Sequence, residues 1–159
     1  MTISVGDRLP SATLLKVTSE GPDAVDSADY FAGRTVALFA VPGAFTPTCS
    51  AKHLPGYINN ADALKAKGVD EIACTSVNDA FVMGAWSKAN DADGITMLAD
   101  GNGGFAEALG LTMDGSKFGL GTRSQRYSML VEDGVVKELN VEAPGAFEVS
   151  SAEHLLGEL

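Results

Sequence analysis

The sequence contains little cysteine. Its 159 residues include only Cys49 and Cys74, which can form at most one disulfide. Small secreted proteins held together by disulfides carry several pairs, so this class is excluded. The residues after Cys49 are Ser50, Ala51 and Lys52, so the Cys-x-x-Cys pair of thioredoxin-like oxidoreductases is absent. Each thiol must therefore be judged as reactive or inert by itself.

Positive charge is also scarce. The chain has 11 Lys and Arg against 21 Asp and Glu, which gives a net charge of -10 and an isoelectric point near 4.4. Such a charge repels phosphate backbones, and no run of Lys or Arg offers a local exception. We expect no nucleic-acid partner.

Long apolar runs are missing as well. No stretch approaches the roughly 18 apolar residues that a membrane helix needs, and the first residues, MTISVGDRLP, lack the pattern of a secretory signal. These features predict a soluble, cytoplasmic protein without a membrane partner. The length and the 45% hydrophobic content predict one domain over residues 1–159.

Strand-loop-helix units recur along the first two thirds of the chain. The apolar run Thr35–Val41 ends at Pro42 and predicts a buried strand, which a loop and a helix from Leu54 towards Gly68 follow. The run 71–77 predicts a second strand, and Asn78 or Asp79 would cap the next helix. A third strand at 95–98 and a helix at 103–109 complete a parallel βαβ pattern.

An antiparallel hairpin is predicted near the C-terminus. The runs Arg126–Val131 and Val135–Val141 flank Asp133 and Gly134, a dipeptide that favours a tight hairpin turn. A capping box from Ser150 to Glu153 would start a last helix. The chain is therefore expected to be an α/β protein with a central mixed sheet flanked by helices.

Cys49 lies where a loop meets the predicted helix. The unpaired N–H groups of a first helical turn stabilise a thiolate, which is the nucleophilic form of cysteine. Position alone does not exclude the alternative of a buried structural cysteine.

The residues around Cys49 carry a resemblance to a known family. The spacing Pro42-x3-Thr46-x2-Cys49, inside VPGAFTPTCS, resembles the active-site motif of the peroxiredoxins. Four further segments are similar to the atypical, type II branch: MTISVGDRLPSATL, CSAKHLPGY, VNDAFVMGAW and RYSMLVEDGVVKELNVE. The resemblance implies a thioredoxin-like fold with extra N-terminal strands. It also implies cofactor-free peroxide reduction through a cysteine sulfenic acid, and often a homodimer.

The resemblance assigns a role to each motif residue. Cys49 is the nucleophile, and the Thr46 hydroxyl would bridge thiolate and peroxide, although Thr46 could equally be a turn residue. Pro42 would shield the sulfur, while it also ends the strand. Arg126 matches the family's active-site arginine, which stabilises the thiolate and orients the peroxide.

Arg123 and His53 are rivals for functional roles. Arg123 lies three residues before Arg126, and this odd spacing would place the two side chains on opposite faces of a strand. His53, four residues after Cys49, would share its helix face and form half of a metal site. A second Cys or His pair is lacking and His154 stands alone, so we expect no metal.

Cys74 is either a resolving thiol or a packed bystander. A sulfenic acid must condense with a thiol before it is reduced, and Cys74 is the only other thiol in the sequence. The resolving cysteine that some type II relatives carry near the C-terminus is absent from residues 145–151. The hypothesis is therefore that glutathione or glutaredoxin, or else thioredoxin, attacks oxidised Cys49.

The sequence accommodates hydrogen peroxide or organic hydroperoxides, with a pocket wall expected around Phe45, Phe118, Gly119 and Phe147. Ala44 and Phe45 are candidates for the dimer interface. A cysteine phosphatase would need Cys-x5-Arg, but Pro55 occupies the arginine position. A non-catalytic binding or chaperone-like protein with the same fold is the alternative.

Overall fold

The computed structural model describes residues 2–159. The first two strands form an antiparallel hairpin, which a short helix follows. These elements are β1 (Thr13–Thr18), β2 (Gly21–Asp26) and the helix α1 (Ser27–Phe31). Asp26 caps α1, because its carboxylate accepts a hydrogen bond from the Ala28 N–H. These are the extra N-terminal strands that only the family resemblance had indicated.

The strand before the cysteine loop is confirmed, but the helix after it is divided. The elements are β3 (Thr35–Ala40), a π-helical turn (Cys49–His53), α2 (Leu54–Asn59) and α3 (Ala61–Ala66). The prediction of one helix up to Gly68 was wrong, since the helix breaks at Asn60. The Asn60 side chain donates to the Gly56 carbonyl, and its backbone leaves helical geometry.

Two further strand-helix units follow as predicted. They are β4 (Glu71–Ser76) with α4 (Ala80–Ala89), and β5 (Thr96–Ala99) with α5 (Gly104–Leu109). Asp79 is the residue that caps α4, through a hydrogen bond from the Val82 N–H. The side-chain oxygen Oδ1 of Asn78 instead accepts from the Ala44 N–H, so it fastens the cysteine loop to the start of α4.

The C-terminal part contains the predicted hairpin and a small sheet that was not predicted. The elements are β6 (Thr112–Asp114), a 3-10 turn (Ser116–Phe118), β7 (Thr122–Ser124), β8 (Tyr127–Glu132), β9 (Val135–Val141) and α6 (Ala152–Glu158). Asp133 and Gly134 both have positive φ, as the hairpin turn requires. The capping box was wrong, because Ser151 caps α6 and the Ser150 hydroxyl donates to Glu142.

The seven main strands form one mixed sheet in the order β2-β1-β5-β4-β3-β8-β9. Strands β3, β4 and β5 are parallel, and β8 pairs antiparallel with β3. Side chains of β3 alternate between two cores, so Phe39 packs on the face that holds both cysteines. This geometry brings the end of β3, the π turn and the start of β8 together.

Within residues 2–159, no helix combines the length and apolar character that a bilayer crossing would require.

Candidate active site

The cysteine loop turns sharply after β3. Its Gly43 carbonyl accepts hydrogen bonds from both the backbone N–H and the hydroxyl of Thr46. Gly43 is tightly enclosed, since a Cβ there would lie 3.1 Å from Thr46 Cγ2 and 3.2 Å from Arg123 Nη1. The compact turn fixes where the following helix starts.

Cys49 occupies the first turn of that helix, as predicted. Helical geometry begins at residue 47, and the Ser50 N–H bonds to the Thr46 carbonyl at 3.0 Å. The chain then widens into the π turn, in which the Leu54 N–H bonds to the Cys49 carbonyl. Such one-turn π segments are rare and are frequent at functional sites.

The sulfur of Cys49 contacts a cation. Its side chain is fully buried, and Arg126 Nη2 donates a hydrogen bond to Sγ at 3.0 Å. Arg126 lies between β7 and β8, so the pairing of β8 with β3 carries it to the helix start. A guanidinium in this position stabilises a thiolate by charge and by hydrogen bonding.

Arg123 approaches the same loop, which corrects the sequence argument. The two arginines do not share a strand, because Arg123 belongs to β7 and Arg126 precedes β8. Strand alternation therefore does not separate them. Arg123 donates to the carbonyl of Leu120 at 2.9 Å and to that of Pro42 at 3.4 Å, so it braces the loop, whereas Arg126 reaches the sulfur.

His53 shares the guanidinium with Cys49. It is fully buried, and its Nδ1 lies 2.8 Å from Arg126 Nη1 while its Nε2 lies 3.0 Å from the Ser150 carbonyl. Burial and the nearby Arg126 charge lower the pKa of His53 to about 3. Both ring nitrogens already have protein partners, and residues 2–159 contain no cluster of three or more metal-ligating side chains.

Pro42 and Arg126 line a cleft of about 570 Å³. Phe118 contributes to its wall, as predicted, whereas Phe45, Gly119 and Phe147 do not line it. The Phe147 ring centroid lies 5.9 Å from the Arg126 guanidinium carbon. The Thr46 hydroxyl points its proton at the Gly43 carbonyl, which leaves its oxygen able to accept.

Comparison with known proteins identifies the family of this chain. A family model described as redoxin matches residues 4–156. Peroxiredoxin-2E-2 (chloroplastic) of Oryza sativa subsp. japonica is 56% identical over 98% of this chain and 72% of its own length. Peroxiredoxin-2B of Arabidopsis thaliana is 48% identical over 97% of this chain and 96% of its own. The chain belongs to the type II peroxiredoxins.

The fold of this peroxiredoxin matches solved structures. Reduced Prx3 of Vibrio vulnificus, determined in complex with hydrogen peroxide, is 59% identical, with a TM-score of 0.96 over 99% of each chain. The expected thioredoxin-like fold is thus confirmed. As a peroxiredoxin the protein is a thiol-dependent peroxidase, which favours the enzyme over the non-catalytic alternative.

The second cysteine of the peroxiredoxin lies in its core. Cys74 is fully buried on β4, opposite Phe39 in the neighbouring strand, and both cysteines carry free thiols. Burial raises the pKa of Cys74 well above its usual value, with the Cys49 charge adding to the effect. These surroundings are those of a packing residue.

Two supporting contacts were missed by sequence reasoning. Trp86 Nε1 donates to the Ser50 hydroxyl at 2.9 Å, which ties α4 to the turn that carries Cys49. The other is the hydrogen bond between Arg126 and His53. The i, i+4 spacing of Cys49 and His53 was noticed as a metal signal, but a distant arginine that serves both residues has no local sequence pattern.

Proposed function

We propose that Cys49 is the thiol that peroxide oxidises and that Arg126 activates it. The observation that supports this most directly is the 3.0 Å hydrogen bond from Arg126 Nη2 to Cys49 Sγ. A thiolate with a fixed cation beside it is the species that attacks a peroxide.

The chemistry requires an aligned O–O bond. The thiolate attacks one peroxide oxygen, an S–O bond forms and the O–O bond breaks, so sulfur is oxidised to sulfenic acid. The other oxygen leaves with a proton as water or as an alcohol. Arg126 stabilises the charge that develops, and the Thr46 oxygen accepts a hydrogen bond from the peroxide.

The cleft bounded by Pro42, Phe118 and Arg126 is the proposed entrance for peroxide. Its volume of about 570 Å³ exceeds what hydrogen peroxide needs, so organic hydroperoxides fit as well. Pro42 limits the water that reaches the sulfur from this side.

An external thiol is the proposed reductant. Cys74 lies in the middle of β4, which pairs with β3 on one side and β5 on the other, so movement towards Cys49 would break strand pairing. We propose that glutathione, alone or with glutaredoxin, or else thioredoxin, attacks the sulfenic acid. The first thiol forms a mixed disulfide and releases water. A second thiol releases that disulfide and regenerates the Cys49 thiol.

Peroxidase turnover with separate donors tests this assignment. Wild type, Cys49→Ser and Cys74→Ser would each receive hydrogen peroxide with glutathione, glutathione plus glutaredoxin, or thioredoxin. We expect Cys49→Ser to be inactive with every donor and Cys74→Ser to remain active with at least one. Loss of turnover in Cys74→Ser with all three donors would contradict external resolution and make Cys74 the resolving thiol.

We further propose a cytoplasmic homodimer that covers apolar surface near the cleft. Phe45 and Phe118 are 55% and 78% exposed, and Phe45 lies at the tip of the cysteine loop. Exposed aromatic residues that lie close to a site favour a protein interface. Analytical ultracentrifugation should show dimers for wild type and monomers for Phe45→Glu, with Val5→Glu as the exposed control. Monomeric wild type at high concentration would contradict the dimer.

A further inference from the structure

His53 is a buried histidine that takes no direct part in the proposed peroxidase reaction. Its ring lies among Phe39, Tyr57 and Phe147, at centroid distances of 4.9, 5.7 and 5.0 Å. The charged or titratable groups near it are Arg126, Glu142 and Tyr57, and Arg126 connects it to Cys49. An imidazole this deeply buried needs a partner for each nitrogen, and it has two.

The partners fix the tautomer. A backbone carbonyl only accepts, so the contact of 3.0 Å with the Ser150 carbonyl requires the proton on Nε2. Nδ1 then carries a lone pair, and it accepts from Arg126 Nη1 at 2.8 Å. A guanidinium only donates, so the two contacts agree on one neutral form of the ring.

We propose that His53 is a positioning residue, which as a neutral imidazole protonated at Nε2 holds the Arg126 guanidinium in the orientation that places Nη2 on Cys49 Sγ. The proposal deepens the peroxidase mechanism and rests on the proposed roles of Cys49 and Arg126. His53 does not act as a base on the sulfur, because its one lone pair, on Nδ1, already accepts from Arg126 Nη1.

The guanidinium needs such a partner because one hydrogen bond does not fix a plane. Arg126 is only half-buried and its long side chain has several rotamers. A second bond from the same planar group, to a rigid ring, removes the rotation that would swing Nη2 away from sulfur. The Phe147 ring beside the guanidinium further limits its motion.

His53 is itself held by the segment that follows β9. The Ser150 carbonyl also accepts from the Tyr57 hydroxyl at 3.1 Å. The Glu142 carboxylate accepts hydrogen bonds from the backbone N–H groups of Glu148, Val149 and Ser150 and from the Ser150 hydroxyl. A continuous hydrogen-bonded chain therefore runs from Glu142 through Ser150, His53 and Arg126 to Cys49.

Two substitutions separate the two bonds of His53. His53→Gln keeps a donor at the ε position for the Ser150 carbonyl but has no acceptor at the δ position that faces Arg126. His53→Asn keeps an acceptor at the δ position for Arg126. We expect His53→Gln to slow single-turnover oxidation of Cys49 by roughly tenfold to a hundredfold and His53→Asn to recover most of that loss. His154→Gln, at the exposed second histidine, is the matched control and should leave the rate unchanged.

A double-mutant cycle with Arg126 tests the route of the effect. If His53 acts through Arg126, His53→Gln should have little further effect in an Arg126→Gln background. An equal loss in both backgrounds would overturn the proposal, because a general structural role predicts additivity. Unchanged oxidation in a folded His53→Gln variant would overturn it as well.

Alkylation by iodoacetamide separates this proposal from the peroxidase assignment, since it needs no peroxide. In a Cys74→Ser background only Cys49 reacts. We expect His53→Gln to move the pH of half-maximal alkylation upward by at least about half a unit, because the cation no longer stays beside the sulfur. An unchanged pH profile contradicts the positioning role even if peroxide oxidation itself fails in wild type.

Nuclear magnetic resonance on wild type tests the proposal without any variant. The ¹⁵N shifts of His53 should show a protonated Nε2 and an unprotonated Nδ1 throughout pH 5 to 8. His154 is exposed, so its separate signals provide an internal comparison within the same spectra. A proton on Nδ1 or a charged ring at pH 6 would overturn the proposal.

Discussion

Cys49 and Cys74 form a natural comparison within one molecule. Both side chains are fully buried, both belong to the same apolar core, and both carry free thiols. Cys49 lies in a first helical turn with the Arg126 guanidinium on its sulfur, whereas Cys74 lies in the middle of a parallel strand. Burial is shared, so burial does not decide which thiol reacts.

The difference between the two sites is a fixed positive charge. Burial raises the pKa of Cys74 because the apolar core disfavours a thiolate. At Cys49 the Arg126 guanidinium donates a hydrogen bond to the sulfur, and the same guanidinium bonds to His53. The comparison teaches that a reactive buried cysteine requires its own cation, which a distant part of the chain supplies here.

Removal of the Arg126 cation should have the largest effect on the difference in reactivity between Cys49 and Cys74. Arg126→Gln should lower the rate constant for Cys49 oxidation by about a hundredfold to a thousandfold, which corresponds to about 3–4 kcal/mol of transition-state stabilisation. Stopped-flow measurement with hydrogen peroxide gives the rate. Arg123→Gln is the matched control, since Arg123 braces the loop without touching the sulfur, and it should lose less than about tenfold. Equal losses would contradict the assignment of Arg126.

Protonation of His53 should lower the free energy of unfolding in acid. His53 has a folded-state pKa of about 3, below its ordinary value of 6.5, so the unfolded chain binds the proton first. Its stabilisation is complete above pH 6.5 and is lost as the pH falls towards 3. Between pH 6 and pH 4.5, the unfolding free energy of wild type should fall by about 2 kcal/mol more than that of His53→Gln.

Urea unfolding curves at several pH values measure this difference. Parallel pH dependence of wild type and His53→Gln would show that His53 titrates normally in the folded protein. Because the comparison is between two chains that differ at one position, the carboxylates that titrate in the same range cancel.

The Thr46 hydroxyl should contribute less than the cation. Thr46→Val keeps the shape but removes the oxygen that accepts from peroxide and the proton that bonds to the Gly43 carbonyl. We expect an approximately tenfold slower oxidation, equivalent to about 1.4 kcal/mol. Thr46→Ser retains the hydroxyl and should stay near the wild-type rate. A fully active Thr46→Val would assign Thr46 to turn formation alone.

The smallest effect on activity is expected at Cys74. Cys74→Ala should leave the rate of Cys49 oxidation unchanged and lower the unfolding free energy by about 1 kcal/mol, because a packed sulfur is lost from the core. Chemical denaturation and stopped-flow oxidation measure the two effects separately. A large loss of oxidation rate with unchanged stability would mean that the two thiols are functionally coupled.

Regular patterns made the central fold predictable. The apolar runs of β3 and β4, the periodic helices between them and the Asp133-Gly134 turn each carry a local signal, and each was found. The β6–β7 sheet was not predicted because its strands have three residues each and are rich in polar residues. The helix break depends on one side-chain bond of Asn60, which periodicity does not reveal.

The candidate site was predictable only in part. The position of Cys49 at a helix start follows from the local pattern, but the pairing with Arg126 required the family resemblance. Strand alternation misplaced Arg123 because β7 ends at Ser124 and a new strand, β8, begins at Tyr127. The role proposed for His53 depends on contacts with Arg126 and Ser150, which are distant in sequence and become neighbours only in the fold.

The most direct test of the account is to locate the first thiol that peroxide oxidises. Wild-type protein treated with one equivalent of hydrogen peroxide in the presence of dimedone, which traps sulfenic acids, can be digested and mapped by mass spectrometry. We expect a dimedone adduct on Cys49 and an unmodified Cys74. Modification of Cys74 at a comparable level, or an unmodified Cys49 in folded protein, would contradict the claim that the fixed cation selects the reactive thiol.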